Sequence, residues 1–145
     1  MKITQAILDK LTEEAKASPR LRMNLDLRNG EGDTSQRMLN AIEPGSPLPI
    51  HRHPKTSETV VCLRGRLVEE FYREVQGSGF KVQDVQEPKA ELVESIELSP
   101  NGPVVALNIP AGQWHTVKAL ESGTVLLEMK NGAYEPIAEK DILTL

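Results

Sequence analysis

The spacing of apolar residues changes period once along the chain. Ile3, Ile7, Leu8, Leu11 and Ala15 recur at helical intervals, separated by acids and lysines. That pattern predicts one amphipathic helix over 3–17, which Pro19 stops. From there the period is two. Leu21, Met23, Leu25 and Leu27 alternate with Arg22, Asn24, Asp26 and Arg28, the signature of a half-buried strand. NGEGD at 29–33 reads as a turn, QRMLNAIE as a second strand, and PGSPLP at 44–49 excludes helix. SETVVCLRG, RLVEEFYREV, AELVESIEL, VVALNI, WHTVKAL and TVLLEMK follow as further short strands. Gly, Pro, Asn and Ser fill the turns between them. Many short strands and no second long helix predict an all-β sandwich or closed barrel carrying an N-terminal α-helix. Within it Trp114, Phe71 and Tyr72 are expected to pack as barrel residues.

Composition narrows the function classes. A chain of 145 residues is the size of one domain, and it buries enough surface to fold without a disulfide or a structural metal. The expected division is residues 1–18 as an appended helix and 19–145 as the barrel. The net charge of −4 and an aromatic content of 3% argue against a nucleic-acid partner. The excess charge is local, because 66–97 holds eight acids and four bases while the rest holds thirteen of each. No apolar run reaches the roughly 20 residues of a membrane span. MKITQAILDKLTEE lacks the pattern of a signal peptide. With Cys62 as the single cysteine, the protein is expected to be cytoplasmic, with that thiol reduced and serving as small core filler.

The chemistry lies in the three histidines. Residues i and i+2 of a strand share a face, roughly 6.6 Å apart, so His51 and His53 are expected to aim two imidazoles at one point. Pro54 interrupts that strand, and the PKTS turn lets Glu58 re-enter on the same side. PAGQW at 110–114 is a tight turn that delivers His115 on a later strand. Three imidazoles and one carboxylate are a ligand set for one divalent transition-metal ion, namely Mn, Fe, Co, Ni, Cu or Zn. Occupancy is expected to fall as pH drops through about 6.5, where ordinary imidazoles take up protons.

These residues also carry a family resemblance. Gly45, His51, His53, Glu58 and Gly65 match G-x5-H-x-H-x4-E-x6-G, the first signature of the cupin superfamily. Pro110, Gly112 and His115 match the second, G-x5-P-x-G-x2-H-x3-N, whose first glycine and final asparagine are replaced by Val104 and Ala119. The wider run, including SPRLRMNL, QRMLNAIEPGSPLPIHRH and LNIPAGQWH, resembles the WbuC-type cupin-fold metalloproteins. The resemblance implies a double-stranded β-helix, or jelly-roll barrel, with a metal inside its mouth, and an association with bacterial surface polysaccharide. It also marks about 76–90 as an insertion between the motifs, expected to vary or be mobile.

Further candidates flank the motifs. Arg20, Arg22, Arg28, Arg37 and Arg52 suit capture of an anion, although Asp26, Glu31 and Asp33 offset them. Glu128, Lys130 and Tyr134 are candidates for pocket groups or for rim packing. The expected function is a metal-dependent enzyme on a small sugar-derived or anionic ligand. A non-catalytic sensor and a purely structural ion are the alternatives. Cupin relatives commonly pair, and the helix stripe needs cover, so a homodimer is expected.

Overall fold

A computed structural model describes residues 1–75 and 89–143. The excursion expected at about 76–90 therefore falls almost wholly outside the described residues. Helix α1 spans Gln5–Ala17 rather than starting at Ile3, because the Thr4 hydroxyl accepts a hydrogen bond from the Ile7 amide and sets the N-terminus there. Ile3 is left exposed. Among the described residues ten strands follow: β1 (Arg22–Asp26), β2 (Ser35–Ile42), β3 (Ile50–His51), β4 (Glu58–Arg64), β5 (Leu67–Glu74), β6 (Ala90–Leu98), β7 (Ala106–Ile109), β8 (Trp114–Ala119), β9 (Thr124–Asn131) and β10 (Ile142–Leu143). Leu21 does not belong to β1, since its φ of 54° turns the chain before the strand begins.

The strands form two five-stranded antiparallel sheets, in the orders β1-β2-β9-β4-β7 and β10-β3-β8-β5-β6. The all-β jelly roll with one N-terminal helix is thus the observed architecture. Alternation divides each strand between an inner and an outer face. Ile42, Val60, Cys62, Leu67, Leu98, Ile109, Val117 and Leu126 fill the space between the sheets. Cys62 is a free, buried thiol within that core.

The opposite face of the first sheet carries the helix. Leu8, Leu11 and Ala15 pack on Leu39, Ala41 and Val125, and the Arg64 guanidinium bonds Asp9 at 2.7 Å. The apolar stripe for which a partner subunit was expected is therefore covered within the chain. Trp114 and Tyr72 pack as barrel residues, buried on β8 and β5, as expected. They lie in a separate cluster with Ile50, Ala90 and Leu143, outside the main core. Phe71 alone of the three aromatics packs against that core. No described helix is long and apolar enough to cross a membrane.

Glycines of the two motifs hold left-handed backbone. Gly65, at φ 75°, also lies so close to Thr124 that an added Cβ would sit 2.8 Å from its Cα. Only glycine fits both constraints.

Candidate metal centre

The register brings the three histidines into one layer. His51 on β3 pairs with His115 on β8, and His115 pairs with Phe71 on β5. On the facing sheet, Lys130 of β9 lies opposite both Glu58 of β4 and Gln36 of β2. His53 is not on the strand that was expected to carry it. Strand β3 ends at His51. His53 follows in irregular backbone, fixed where its carbonyl accepts the Gly112 amide at 2.8 Å. The two histidine segments are thereby tied together by the glycine of the second motif.

The candidate ligand nitrogens of His51, His53 and His115 all lie within 4.8 Å of one another. The His51 and His53 rings meet edge to face, with centroids 5.0 Å apart. Nδ1 of His51 lies 3.1 Å from the Pro49 carbonyl, and Nδ1 of His115 lies 2.9 Å from that of Gln113. Those carbonyls hold a proton on Nδ1 and direct Nε2 toward the cluster. Buried Glu58 joins from the other sheet, with Oε1 2.7 Å from His115 Nε2 and Oε2 3.7 Å from His53 Nε2. Three imidazoles and one carboxylate, oriented by backbone acceptors, fit a divalent first-row ion.

Their protonation is uneven. Burial pushes both His51 and His53 down to about 4, assisted by His115 for the first and Lys130 for the second. Burial opposes ionisation of Glu58 as well, but the His115 hydrogen bond and charge outweigh it and hold the carboxyl at about 2. For the same reason His115 is raised in spite of its burial. Metal-free, the site is an imidazolium–carboxylate pair beside two neutral imidazoles.

Lys130, grouped in the sequence with rim residues, reaches this cluster. Its Nζ lies 3.8 Å from Glu58 Oε2 and 3.5 Å from His53 Nε2. Glu128, two residues earlier, accepts a hydrogen bond from Asn40 at 3.0 Å. Burial and then the Glu58 charge raise it to about 7. Tyr134 is exposed, with the Arg28 guanidinium 5.5 Å above its ring.

Four of the five candidate arginines are held by the chain itself. Arg22 bonds the Pro47 carbonyl, Arg28 pairs with Asp26, and Arg37 with Asp33. Arg52 pairs with buried Asp141 at 2.8 Å and stacks on Trp114. Arg20 is exposed. Sequence reasoning missed Glu69 altogether. It is 2% exposed and pairs with Val117, one register step below the histidine layer. Its position between Leu67 and Phe71, both inward-facing, was the available signal.

His53 of the cluster lines a cavity of about 540 Å³, together with Lys130, Gln36 and Tyr134 among others. Smaller cavities of about 370 and 200 Å³ adjoin it, and Lys130 and Gln36 line all three.

No curated protein matches the sequence. Solved structures do. KdgF from Halomonas sp. aligns at 15% identity with a TM-score of 0.54, over 81% of this chain and 84% of that one. The capsular polysaccharide assembling protein CapF from Staphylococcus aureus aligns at 20% and 0.55, over 85% of this chain and 32% of that one. Oxalate oxidase in complex with the substrate analogue glycolate aligns at 17% and 0.56, over 83% and 55%. At such identities these likenesses show the fold alone, a fold shared with a further match, the cupin domain of Cnp3 from Schizosaccharomyces pombe. Residues 3–81, which contain His51, His53 and Glu58, match the model of a family described as a domain of unknown function (DUF6016), and because that stretch exceeds half of the chain, the protein belongs to this family.

Proposed function

We propose that His51, His53, Glu58 and His115 together hold one divalent transition-metal ion, and that the protein is a metal-dependent enzyme on a small sugar-derived or anionic molecule. One observation carries the reading: three ligand nitrogens within 4.8 Å of one another, with the Glu58 carboxylate hydrogen-bonded among them, at the mouth of a cavity of small-molecule size. A six-coordinate ion with these four ligands keeps two positions for exchangeable ligands, and bound there it supplies Lewis-acid polarisation of a ligand oxygen. The chain's own part is to orient the imidazoles through Pro49 and Gln113 and to exclude water on the buried side of the cluster. A role in surface-polysaccharide chemistry, in the manner of a WbuC-type protein, accords with the likeness to CapF.

The test is elemental analysis of protein purified without chelators or an affinity-tag metal, alongside melting curves. One ion per chain is expected in the wild type, and almost none in His51→Ala and His115→Ala, with both variants still folded. Stoichiometric metal in either variant would refute the ligand assignment. Loss of both metal and fold would make the ion structural and remove the support for catalysis.

A further inference from the structure

Lys130 occupies an unusual place for a cation. Its side chain is only 15% exposed, and it projects from the inner face of β9 into the layer that contains the histidines. Three arginines near the mouth have close carboxylate partners: Arg28 with Asp26 at 2.8 Å, Arg37 with Asp33 at 3.1 Å and Arg52 with Asp141 at 2.8 Å. Lys130 has Glu58 at 3.8 Å and the His53 imidazole at 3.5 Å. Both distances lie beyond a strong ammonium hydrogen bond. The Glu58 carboxylate is also already engaged by His115 at 2.7 Å.

Charge arithmetic then restricts the ligand. This step rests on the metal reading above. A divalent ion, one carboxylate and one ammonium leave a net charge of +2 in a half-buried cavity, where like charges repel with little screening. A neutral sugar or polyol leaves that repulsion in place. A ligand with its own carboxylate removes it, because an anion between the histidine cluster and the ammonium is attracted by both. Lys130 lines all three adjoining cavities, and its ammonium lies beside His53, which lines the largest of the three.

We propose that the ligand is a small organic acid, with one end at the His51–His53–His115 cluster and its carboxylate paired with Lys130 Nζ. Lys130 is then a positioning and specificity residue, selecting acids over their neutral counterparts. A purely structural role, as counter-ion to Glu58 in the metal-free chain, makes a different prediction.

The experiment uses the full chain loaded with Ni²⁺ and isothermal titration with four probes: glycolate, glucuronate, and their neutral counterparts glycolamide and glucose. At least one acid should bind tenfold or more tightly than its neutral counterpart. Lys130→Met should lose at least tenfold in affinity for that acid, leave the neutral probe unchanged, and keep one Ni²⁺ per chain. Lys130→Arg should recover part of the loss, which a structural counter-ion role does not predict for ligand affinity. The proposal is overturned if acids and neutral probes bind alike, if Lys130→Met retains the acid, or if Lys130→Met can no longer hold the metal. Wild-type protein that takes up no Ni²⁺ would instead overturn the metal reading itself.

Discussion

Replacing Glu69 with leucine should stabilise the protein, and should do so more at about pH 7.5 than at about pH 5. Glu69 is buried against Val117 between the sheets, and its Oε2 has no hydrogen-bond partner among the described residues. An unsatisfied buried polar atom costs about 1–3 kcal/mol. Burial, then the charges of Glu58 and Glu128, raise its pKa well above the ordinary carboxylate range. The unfolded chain gives up this proton near pH 4.3, whereas the folded chain keeps it. Stability therefore falls as pH rises from there toward the folded value, by up to about 1.4 kcal/mol per pH unit. Leucine has nothing to ionise and fills a comparable volume. The variant should gain about 1–2 kcal/mol at the lower pH and a larger increment at the higher one. For a chain of this length, each kcal/mol corresponds to about 2–4 °C in Tm. Urea unfolding of metal-free protein at both pH values measures the increments with metal linkage removed. Equal increments at the two pH values would show that Glu69 ionises normally. A variant less stable at both would show that its carboxyl has a partner.

Gly65→Ala should lose at least about 2–4 kcal/mol by denaturant unfolding, because it adds a left-handed φ penalty to a Cβ 2.8 Å from the Thr124 backbone. Gly132→Ala, where only a Thr56 methyl lies near at 3.5 Å, should lose about 1 kcal/mol; similar losses in both would refute the steric argument. Metal uptake near neutral pH should release about one proton per ion. His115 carries that proton against Glu58, whereas His51 and His53, at about 4, are already neutral. Calorimetry in buffers of different ionisation enthalpy counts the protons, and release of none or of two or more would contradict the assignment. Light scattering should give twice the 16.0 kDa chain mass, with the contact expected at Leu92 and Val93, exposed on the edge strand β6; a monomer for the wild type refutes the dimer.

The parts of the site that were legible in the sequence are those fixed by local geometry. Glu58, Val60 and Cys62 alternate inward because a strand has a period of two, and all three are buried. Gly45, Gly65 and Gly112 are readable because positive φ demands glycine. What was not legible depends on neighbours distant in the chain. The i, i+2 argument placed His53 on a strand that ends at His51. The two rings still converge, because the Gly112 amide anchors the His53 carbonyl across the site. The offset of Arg28 by Asp26 and of Arg37 by Asp33 was legible as local charge, but the ties of Arg22 to Pro47 and of Arg52 to Asp141 and Trp114 required the fold. Lys130 stayed open between pocket group and rim because nothing local distinguishes an inward from an outward lysine near a strand end.

The carboxyls explain why Lys130 matters. Glu58, Glu69 and Glu128 all face the interior in two adjacent layers, and three charges so close cannot coexist cheaply there. The proton distribution follows from their neighbours. Glu58 touches His115 and ionises at about 2. Glu128 has an amide donor in Asn40 but feels Glu58, and stays protonated up to about 7. Glu69 has an oxygen with no partner among the described residues, and burial raises its carboxyl well above the ordinary range too. Below about pH 7 the layer under the histidines therefore carries little negative charge to cancel the ammonium above it. Glu58 is the carboxylate within 4 Å of the Lys130 ammonium, and a metal ion would draw on that charge as well. The positive field at the cavity mouth is left to the ligand to neutralise. That is the physical ground for expecting an acid rather than a neutral sugar in this barrel.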